Sequence, residues 1–223
     1  MHIPDGFIDI KTSAAFAAAS ALAVAGAVKG ARRQLSEQSA PLAGLTAVFI
    51  FAVQMLNFPV AAGTSGHLIG AALAMVLVGP YAATLALVVV LIIQAFLFAD
   101  GGLTALGLSI FNMAVISVWV SFAVFMLLKK IFPKTKSWLV IATFVSALIS
   151  VPAAAVGFVI QYAIGANATF SVGAVLNAMV GTHVLIGIGE AIITALTVSA
   201  VLASRSDLVF GWDKKNTTLE IRS

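Results

Sequence analysis

Apolar runs of about 20 residues recur along this chain, and they limit its fold more than any other feature. A helix that crosses a bilayer needs about 20 apolar residues, whereas a transmembrane β-strand needs about 10. Hydrophobic residues make up 61% of the sequence and charged residues only 9%, against about 25% charged in a typical soluble domain. The sequence therefore predicts an all-α integral membrane protein surrounded by lipid, and nucleic acid is not an expected partner.

The apolar runs and the turn residues between them predict seven transmembrane helices. A turn around Gly79-Pro80 is all that joins the third span to the fourth, and seven crossings put the two termini on opposite sides of the membrane. We expect a single transmembrane domain over residues 1–204, with a loop at 1–11, and a short polar tail at 205–223. The predicted spans are 12–32, 40–57, 66–79, 81–99, 103–128, 137–164 and 170–204.

The basic residues predict which side each terminus faces. Eleven of the twelve Lys and Arg residues follow spans one, five and seven, and Lys11 is the exception. Because cytoplasmic loops are enriched in basic residues, the N-terminus is expected outside and the C-terminus in the cytoplasm. Asp5 and Asp9 precede Lys11, which argues against a cleaved signal peptide. The eleven residues are Lys29, Arg32, Arg33, Lys129, Lys130, Lys134, Lys136, Arg205, Lys214, Lys215 and Arg222.

Small residues fill much of the first span. Ala14 and Ala18, like Ala17 and Ala21, are spaced as small-xxx-small pairs, which let helices approach closely in lipid. Packing inside the protein is the simpler interpretation. The alternative is a face on which a partner membrane protein docks.

Several polar residues lie within the spans, where they are costly and usually face an interior. His183 and Glu190 are seven residues apart, about two helical turns, so they share one face of span seven. We expect this pair to serve chiefly as hydrogen-bonded packing. The outer loops carry a single charge, Asp100. The polar residues of the spans are Gln54, Asn57, His67, Gln94, Asn112, Gln161, Asn177, His183 and Glu190.

Histidine stands at position two, beside the terminal amine. The Met1 amine, the His2 amide and the His2 imidazole together close two fused chelate rings on one metal ion and supply three nitrogens in a plane. A fourth nitrogen completes a square, which suits Ni(II) or Cu(II). His67 lies on the same predicted side and is the natural fourth ligand, with His183 a weaker candidate. A disordered terminus without a function is the alternative, although Ile3, Phe7 and Ile8 around a Pro-Asp-Gly turn favour a folded loop.

Four segments carry a resemblance to a known family. They are "MHIPDGFI" (1–8), "QMLNFPVAAGTSGHLIGAALAMVLVGPYAA" (54–83), "FADGGLTALGLSIFNMA" (98–114) and "HVLIGIGEAIITA" (183–195). In these segments the chain resembles the CbiM/NikM proteins, the substrate-binding subunits of energy-coupling-factor transporters for cobalt and nickel. One departure is Gly107-Leu108-Ser109, where a Gly-Ala-Asn run is expected.

The resemblance implies a seven-helix protein whose N-terminal loop fills its own interior and binds the metal. It implies that Met1, His2 and His67 coordinate Ni(II) or Co(II), which is the substrate, and that no other cofactor is needed. Gln54, Asn57, Ser65, Asn112 and His183 are candidates for lining the site. The implied partners are a transmembrane coupling subunit, two cytoplasmic ATPases and a small accessory membrane subunit on a separate chain. The expected location is the plasma membrane of a prokaryotic cell, crossed several times.

Two other functions compete with this interpretation. Gly63-Thr64-Ser65-Gly66 with a later His183 is similar to the Ser–His pair of rhomboid intramembrane proteases, although the spacing after His183 differs. The third possibility is a self-sufficient secondary transporter or channel. Such proteins often show internal repeats, and we find none. A phosphate-binding loop is absent too, so ATP hydrolysis would belong to partners rather than to this chain, which is not expected to be an enzyme.

Overall fold

The computed structural model describes residues 1–34, 40–60 and 64–212. Lys214, Lys215 and Arg222, with most of the predicted tail, lie outside these residues. Seven helices of eight or more residues, a short 3-10 helix (Ser206–Leu208) and one small hairpin are found within the described ranges. The hairpin pairs β1 (Phe58–Val60) antiparallel with β2 (Thr64–Gly66). The helices are α1 (Ile10–Gln34), α2 (Ala40–Gln54), α3 (Ala71–Val78), α4 (Pro80–Leu97), α5 (Leu106–Ile131), α6 (Lys136–Gly165) and α7 (Val172–Ser204).

Five of these helices are long and apolar enough to cross a membrane, namely α1, α4, α5, α6 and α7. This confirms a mostly helical, multi-pass architecture. The second predicted span is a helix of 15 residues, somewhat short of a full crossing.

The third predicted span differs from the structure. Only Ala71–Val78 is helical, which is 8 residues, and a helix of that length rises about 12 Å at 1.5 Å per residue. Residues 67–70 are not helical. Gly70 has a φ of +77°, a conformation that glycine adopts without steric cost and that interrupts a helix. Since α3 is nearly all buried, protein rather than lipid surrounds it.

The N-terminal segment folds back into the bundle. Met1 and Ile3 are fully buried, and Phe7 and Ile8 nearly so, which confirms the expected folded loop. The Phe7 ring packs against the rings of Phe158, Tyr162 and Phe170 of the α6–α7 region. Backbone hydrogen bonds fix the segment at both ends, from Gly102 N–H to Ile3 C=O (2.8 Å) and from Asp9 N–H to Gly165 C=O (2.8 Å).

Two aspartates set the shape of this loop. The Asp5 carboxylate accepts hydrogen bonds from the backbone N–H groups of Leu103 and Thr104 and from the Thr104 hydroxyl, and these bonds lower its pKa. Asp9 precedes α1 and accepts from the N–H groups of Lys11 and Thr12, as an N-cap residue does. The loop therefore ends where the first helix begins.

The contacts separate the bundle into two ends. The N-terminal loop, the end of α4 and the α6–α7 connection meet at one end, which we call the loop end. At the opposite end, the basic end, Lys129 donates to Gly211 C=O, Lys136 donates to Leu202 C=O (2.9 Å), and Phe210 N–H donates to Val76 C=O (2.7 Å).

The alanine face of α1 is not buried inside the chain. Ala14, Ala18 and Ala21 are exposed and share one side of the helix, whereas the buried side carries Ser20 and Ala27. Internal packing, the simpler interpretation of these alanines, is therefore wrong for most of them. Ala17 is exposed as well, but the backbone of Gly107 in α5 closely approaches it.

Candidate metal centre

The nitrogens of the first two residues are enclosed by the bundle. Met1 has no exposed surface and His2 is 5% exposed. The His2 N–H donates to the Ser65 hydroxyl (3.3 Å), and the next N–H, of Ile3, donates to the Ser109 hydroxyl (3.4 Å). Ser109, in the run where the sequence departs from the expected pattern, thus holds the backbone of the loop.

His67 lies directly beside His2. The centroids of the two rings are 4.8 Å apart with 33° between their planes, although 65 positions separate the residues in sequence. His67 is fully buried, its Nδ1 is 2.8 Å from Leu68 C=O, and its Nε2 has no hydrogen-bond partner. Because a carbonyl only accepts, Nδ1 must carry the proton, which leaves a lone pair on Nε2. Nε2 is therefore the nitrogen of this ring that is free to bind a metal.

Side chains from two helices hold the segment that carries His67. The Glu190 carboxylate of α7 accepts from the N–H groups of Ile69 (2.6 Å) and Gly70 (3.0 Å). Gln54 of α2 donates to Ile69 C=O (2.7 Å). Glu190 also lies at the N-terminus of α3, where a negative charge is favourable. The expected packing role of Glu190 is thus directed at the His67 segment rather than at His183.

His183 is also fully buried, with an unpaired Nε2. Its Nδ1 is 2.7 Å from the carbonyl of Met179, one turn earlier in α7, so it has the same tautomer as His67. The terminal amine is within electrostatic range of both His183 and His67. Within the described residues, Ser65 and His183 share no hydrogen bond, which gives no support to a Ser–His catalytic pair; Gly63 of that motif lies outside them.

The remaining candidate residues divide between the loop end and the interior. Asn57 is exposed at the loop end and donates to both carboxylate oxygens of Asp100, at 3.3 Å each. Asn112 is fully buried in α5 and donates to Gln161 Oε1 of α6 (2.7 Å). Its helix has a π-helical stretch at Phe111–Ile116, a feature frequent at functional sites.

Asp100 is the functional candidate that the sequence interpretation did not assign. Its carboxylate lies 3.5 Å from Nε2 of His2. Both side chains line an open cavity of about 480 Å³ at the loop end, together with Asn57 and Ser65. The signal for it in the sequence was its position as the single charge of the predicted outer loops.

Burial disfavours the charged form of each ionisable group around the N-terminus, to different extents. It lowers the pKa of the Met1 amine from 8.0 to about 4, against the opposing attraction of Asp100. Burial also lowers the pKa of His2 well below its usual value, and the nearby terminal amine lowers it further. Burial raises the pKa of Asp100, while the amine and Asn57 oppose that shift. At neutral pH the amine and imidazole therefore have free lone pairs.

A conventional metal site built only from side chains is not found. Within residues 1–34, 40–60 and 64–212, no group of three or more His, Cys, Asp or Glu side chains is arranged to hold a metal ion. The predicted nitrogen ligands are of another kind, because two of the four belong to the start of the backbone. They are the Met1 amine, the His2 amide, the His2 imidazole and the His67 imidazole.

Comparison with protein families gives a match over nearly all of the described chain. Residues 2–208 match the CbiM family, described as the cobalt uptake substrate-specific transmembrane region. A solved structure of a truncated transition metal transporter superposes with a TM-score of 0.84 at 31% sequence identity. That comparison covers 91% of this chain and 99% of the other.

Two archaeal proteins are among the similar sequences. A putative metal transport protein of Haloquadratum walsbyi is 39% identical over 94% of each chain. A putative fused nickel transport protein NikMN of Archaeoglobus fulgidus is also 39% identical, over 94% of this chain and 68% of its own length. Both names refer to metal transport, which agrees with a transporter rather than an enzyme.

Proposed function

The chain belongs to the CbiM family of cobalt-uptake transmembrane proteins, and from this premise we propose that it captures nickel or cobalt as the substrate-binding subunit of an energy-coupling-factor importer. Its members and their relatives are named for cobalt or nickel transport. The observation that carries the proposal is the burial of Met1 and His2 beside the unpaired Nε2 of His67.

Capture begins at the open cavity of the loop end, which we propose faces the outside of a prokaryotic plasma membrane. The ion binds the Met1 amine and Nδ1 of His2, since these positions close the two chelate rings. The His2 amide loses its proton to complete them. Ser65 already accepts from that N–H (3.3 Å) and lines the cavity, so it offers the proton a route to water. Nε2 of His67 then closes the square.

The spectrum of the bound metal tests this assignment. Four nitrogens in a plane suit Ni(II), and the complex is expected to be yellow and diamagnetic. The measurement is the absorbance and magnetic susceptibility of the purified protein with nickel and with cobalt. A green, paramagnetic nickel complex would contradict the planar site.

The pH dependence of affinity distinguishes this buried site from a chelate in water. Free in water, the amine and imidazoles release protons near pKa ~8 and ~6.5 as metal binds, so affinity would fall steeply below pH 8. Here burial lowers the amine pKa to about 4 and the His2 pKa well below 6.5. One proton, from the His2 amide, remains to be released. Affinity should therefore fall only about tenfold per pH unit between pH 8 and pH 6.

Equilibrium dialysis in buffers from pH 8 to pH 4 measures that slope, which should steepen only in the lower part of the range. The same lowered pKa values affect the metal-free protein. The unfolded chain takes up more protons than the folded chain between about pH 8 and pH 4, so the free energy of unfolding falls as the pH falls through this window. A metal affinity that changes by two or three powers of ten per pH unit near neutrality would contradict the buried site.

Transport requires partners in this proposal, because the chain supplies no ATP site of its own. We expect a transmembrane coupling subunit, two cytoplasmic ATPases and the small accessory subunit to which relatives named NikMN are fused. The basic end would face the cytoplasm. Metal uptake by cells that express this chain alone would favour a self-sufficient transporter instead.

Leucine on the alanine face of α1 is expected to weaken docking of the coupling subunit. Ala18 and Ala21 are exposed on one side of the helix, where small residues allow close approach. Ala17 is unsuitable because Gly107 approaches it. The double variant Ala18→Leu/Ala21→Leu should reduce co-purification of the partners by about tenfold or more, with metal affinity unchanged. Ala163→Leu, at an exposed site of α6, is the matched control. Equal co-purification of both variants would remove this face from the interface.

A further inference from the structure

We infer that Asp100 is a positioning residue of the metal site, which orients the His2 imidazole through Nε2 and neutralises the charge of the bound ion. The inference rests on the proposed function, because it assumes that His2 binds the metal. It places a carboxylate behind His2, beside a set of proposed metal ligands that are all nitrogens.

The covalent geometry of the chelate determines which nitrogen of His2 meets Asp100. The chelate ring that contains the residue-two amide and imidazole closes through Nδ1, since Nε2 is on the far side of the ring. Nε2 is then left with its proton. In the structure this atom is buried, has no hydrogen bond and lies 3.5 Å from Asp100 Oδ2. A shift of about 0.5 Å makes it a hydrogen bond, the usual arrangement of a metal-binding histidine with a carboxylate behind it.

Charge balance gives a second reason for a carboxylate here. A divalent ion carries two positive charges, and the deprotonated His2 amide cancels one of them. The remaining charge is enclosed among residues with 5% exposure or less, where an uncompensated ion is costly. Asp100 is 18% exposed and supplies the last negative charge. The site is then neutral overall.

The other acids of the loop end are already engaged within the described chain. Asp5 accepts three hydrogen bonds from Leu103 and Thr104, and Asp9 caps α1. Glu190 accepts from Ile69 and Gly70. The hydrogen bonds to Asp100 come from Asn57 alone among the described residues, both at 3.3 Å. Its carboxylate therefore keeps acceptor capacity on the side of His2.

Both neighbours of Asp100 in the chain have a positive φ, and for Ala99 this conformation is strained. Ala99 has a φ of +51°, rare for a residue with a Cβ, and Gly101 has a φ of +92°. Gly101 lies so close to His2 that a Cβ there would be 3.0 Å from the His2 Cβ. Asp100 N–H donates to Gln94 C=O (3.1 Å) at the C-terminus of α4, where the helix dipole disfavours a carboxylate. Strained positions of this kind cluster at ligand sites.

The test compares two variants that each remove one carboxylate from the loop end. Asp100→Asn keeps an oxygen that accepts from Nε2 but loses the charge. Asp9→Asn is the matched control, because asparagine caps a helix as well as aspartate does. Nickel affinity should fall about 10- to 100-fold in Asp100→Asn and remain near wild type in Asp9→Asn. Dialysis with nickel, the absorbance spectrum, and the melting temperature of each metal-free protein are the measurements.

The supporting result is a weaker Asp100→Asn complex with the wild-type spectrum and an unchanged metal-free melting temperature. Equal affinity of the two variants would overturn the inference while leaving the proposed function intact. A metal-free melting temperature that falls with the affinity would assign Asp100 to the loop structure alone and would overturn it too. If the wild-type protein binds neither nickel nor cobalt in dialysis, the proposed function itself fails, and the two failures are thereby distinguished.

Discussion

One glycine added before Met1 should weaken nickel and cobalt binding by at least about 100-fold. The addition converts the terminal amine into an amide and moves the new amine by roughly 3.5 Å of chain. Met1 has no exposed surface, so the added residue has no room without displacing the loop. A four-ligand site is worth about 10–16 kcal/mol, or about 3 kcal/mol for each ligand, and 1.4 kcal/mol corresponds to tenfold in affinity.

The comparison uses three forms of the protein with the same helices. Acetylation of the native amine removes the ligand without moving His2 in the sequence, so it should cause a similar loss. A tag after Ser223 should be harmless, because the C-terminus is expected on the opposite side of the membrane. Equilibrium dialysis with each metal is the measurement. If the extended protein binds as tightly as the C-terminally tagged one, the free amine is not a ligand.

The sequence predicted the parts of the fold that depend on local composition. Long apolar runs became helices within a few residues of the predicted bounds, as in Lys136–Gly165 for the predicted span 137–164. The folded loop was predictable because Pro4, Asp5 and Gly6 favour a turn, and because Phe7 and Ile8 need burial. The predicted topology placed His67 on the same side as His2, and the two rings lie 4.8 Å apart; their binding of a metal stays a prediction.

Tertiary contacts determined what the sequence did not reveal. Span three was predicted to be helical over residues 66–79, but α3 begins only after Gly70, whose N–H donates to Glu190, 120 residues away. Hydropathy reports the preference for an apolar environment, and it cannot distinguish lipid from protein. The role of Asp100 depends in the same way on a distance to His2 across the fold.

Separate exchange of His67 and of His183 for alanine should distinguish the roles of these two side chains. His67→Ala should lower nickel affinity by about 100-fold or more, for the same reason of one lost ligand. His183→Ala should change it by less than about tenfold. In the proposed square Met1 and His2 fill three positions, and the ring that lies 4.8 Å from His2 is that of His67. With four nitrogens in the plane, His183 has no position left to fill.

Both substitutions remove a buried ring with an unpaired Nε2, so each is the control for the other's loss of packing. The metal-free melting temperature should fall by similar amounts in both variants, while affinity falls in one. Free imidazole added to His67→Ala should restore part of the binding, because the small ring replaces the lost nitrogen in the space left behind. Equilibrium dialysis with and without imidazole measures this. Should His183 prove essential and His67 dispensable, the fourth ligand comes from α7, and the square assigned to the loop end is wrong.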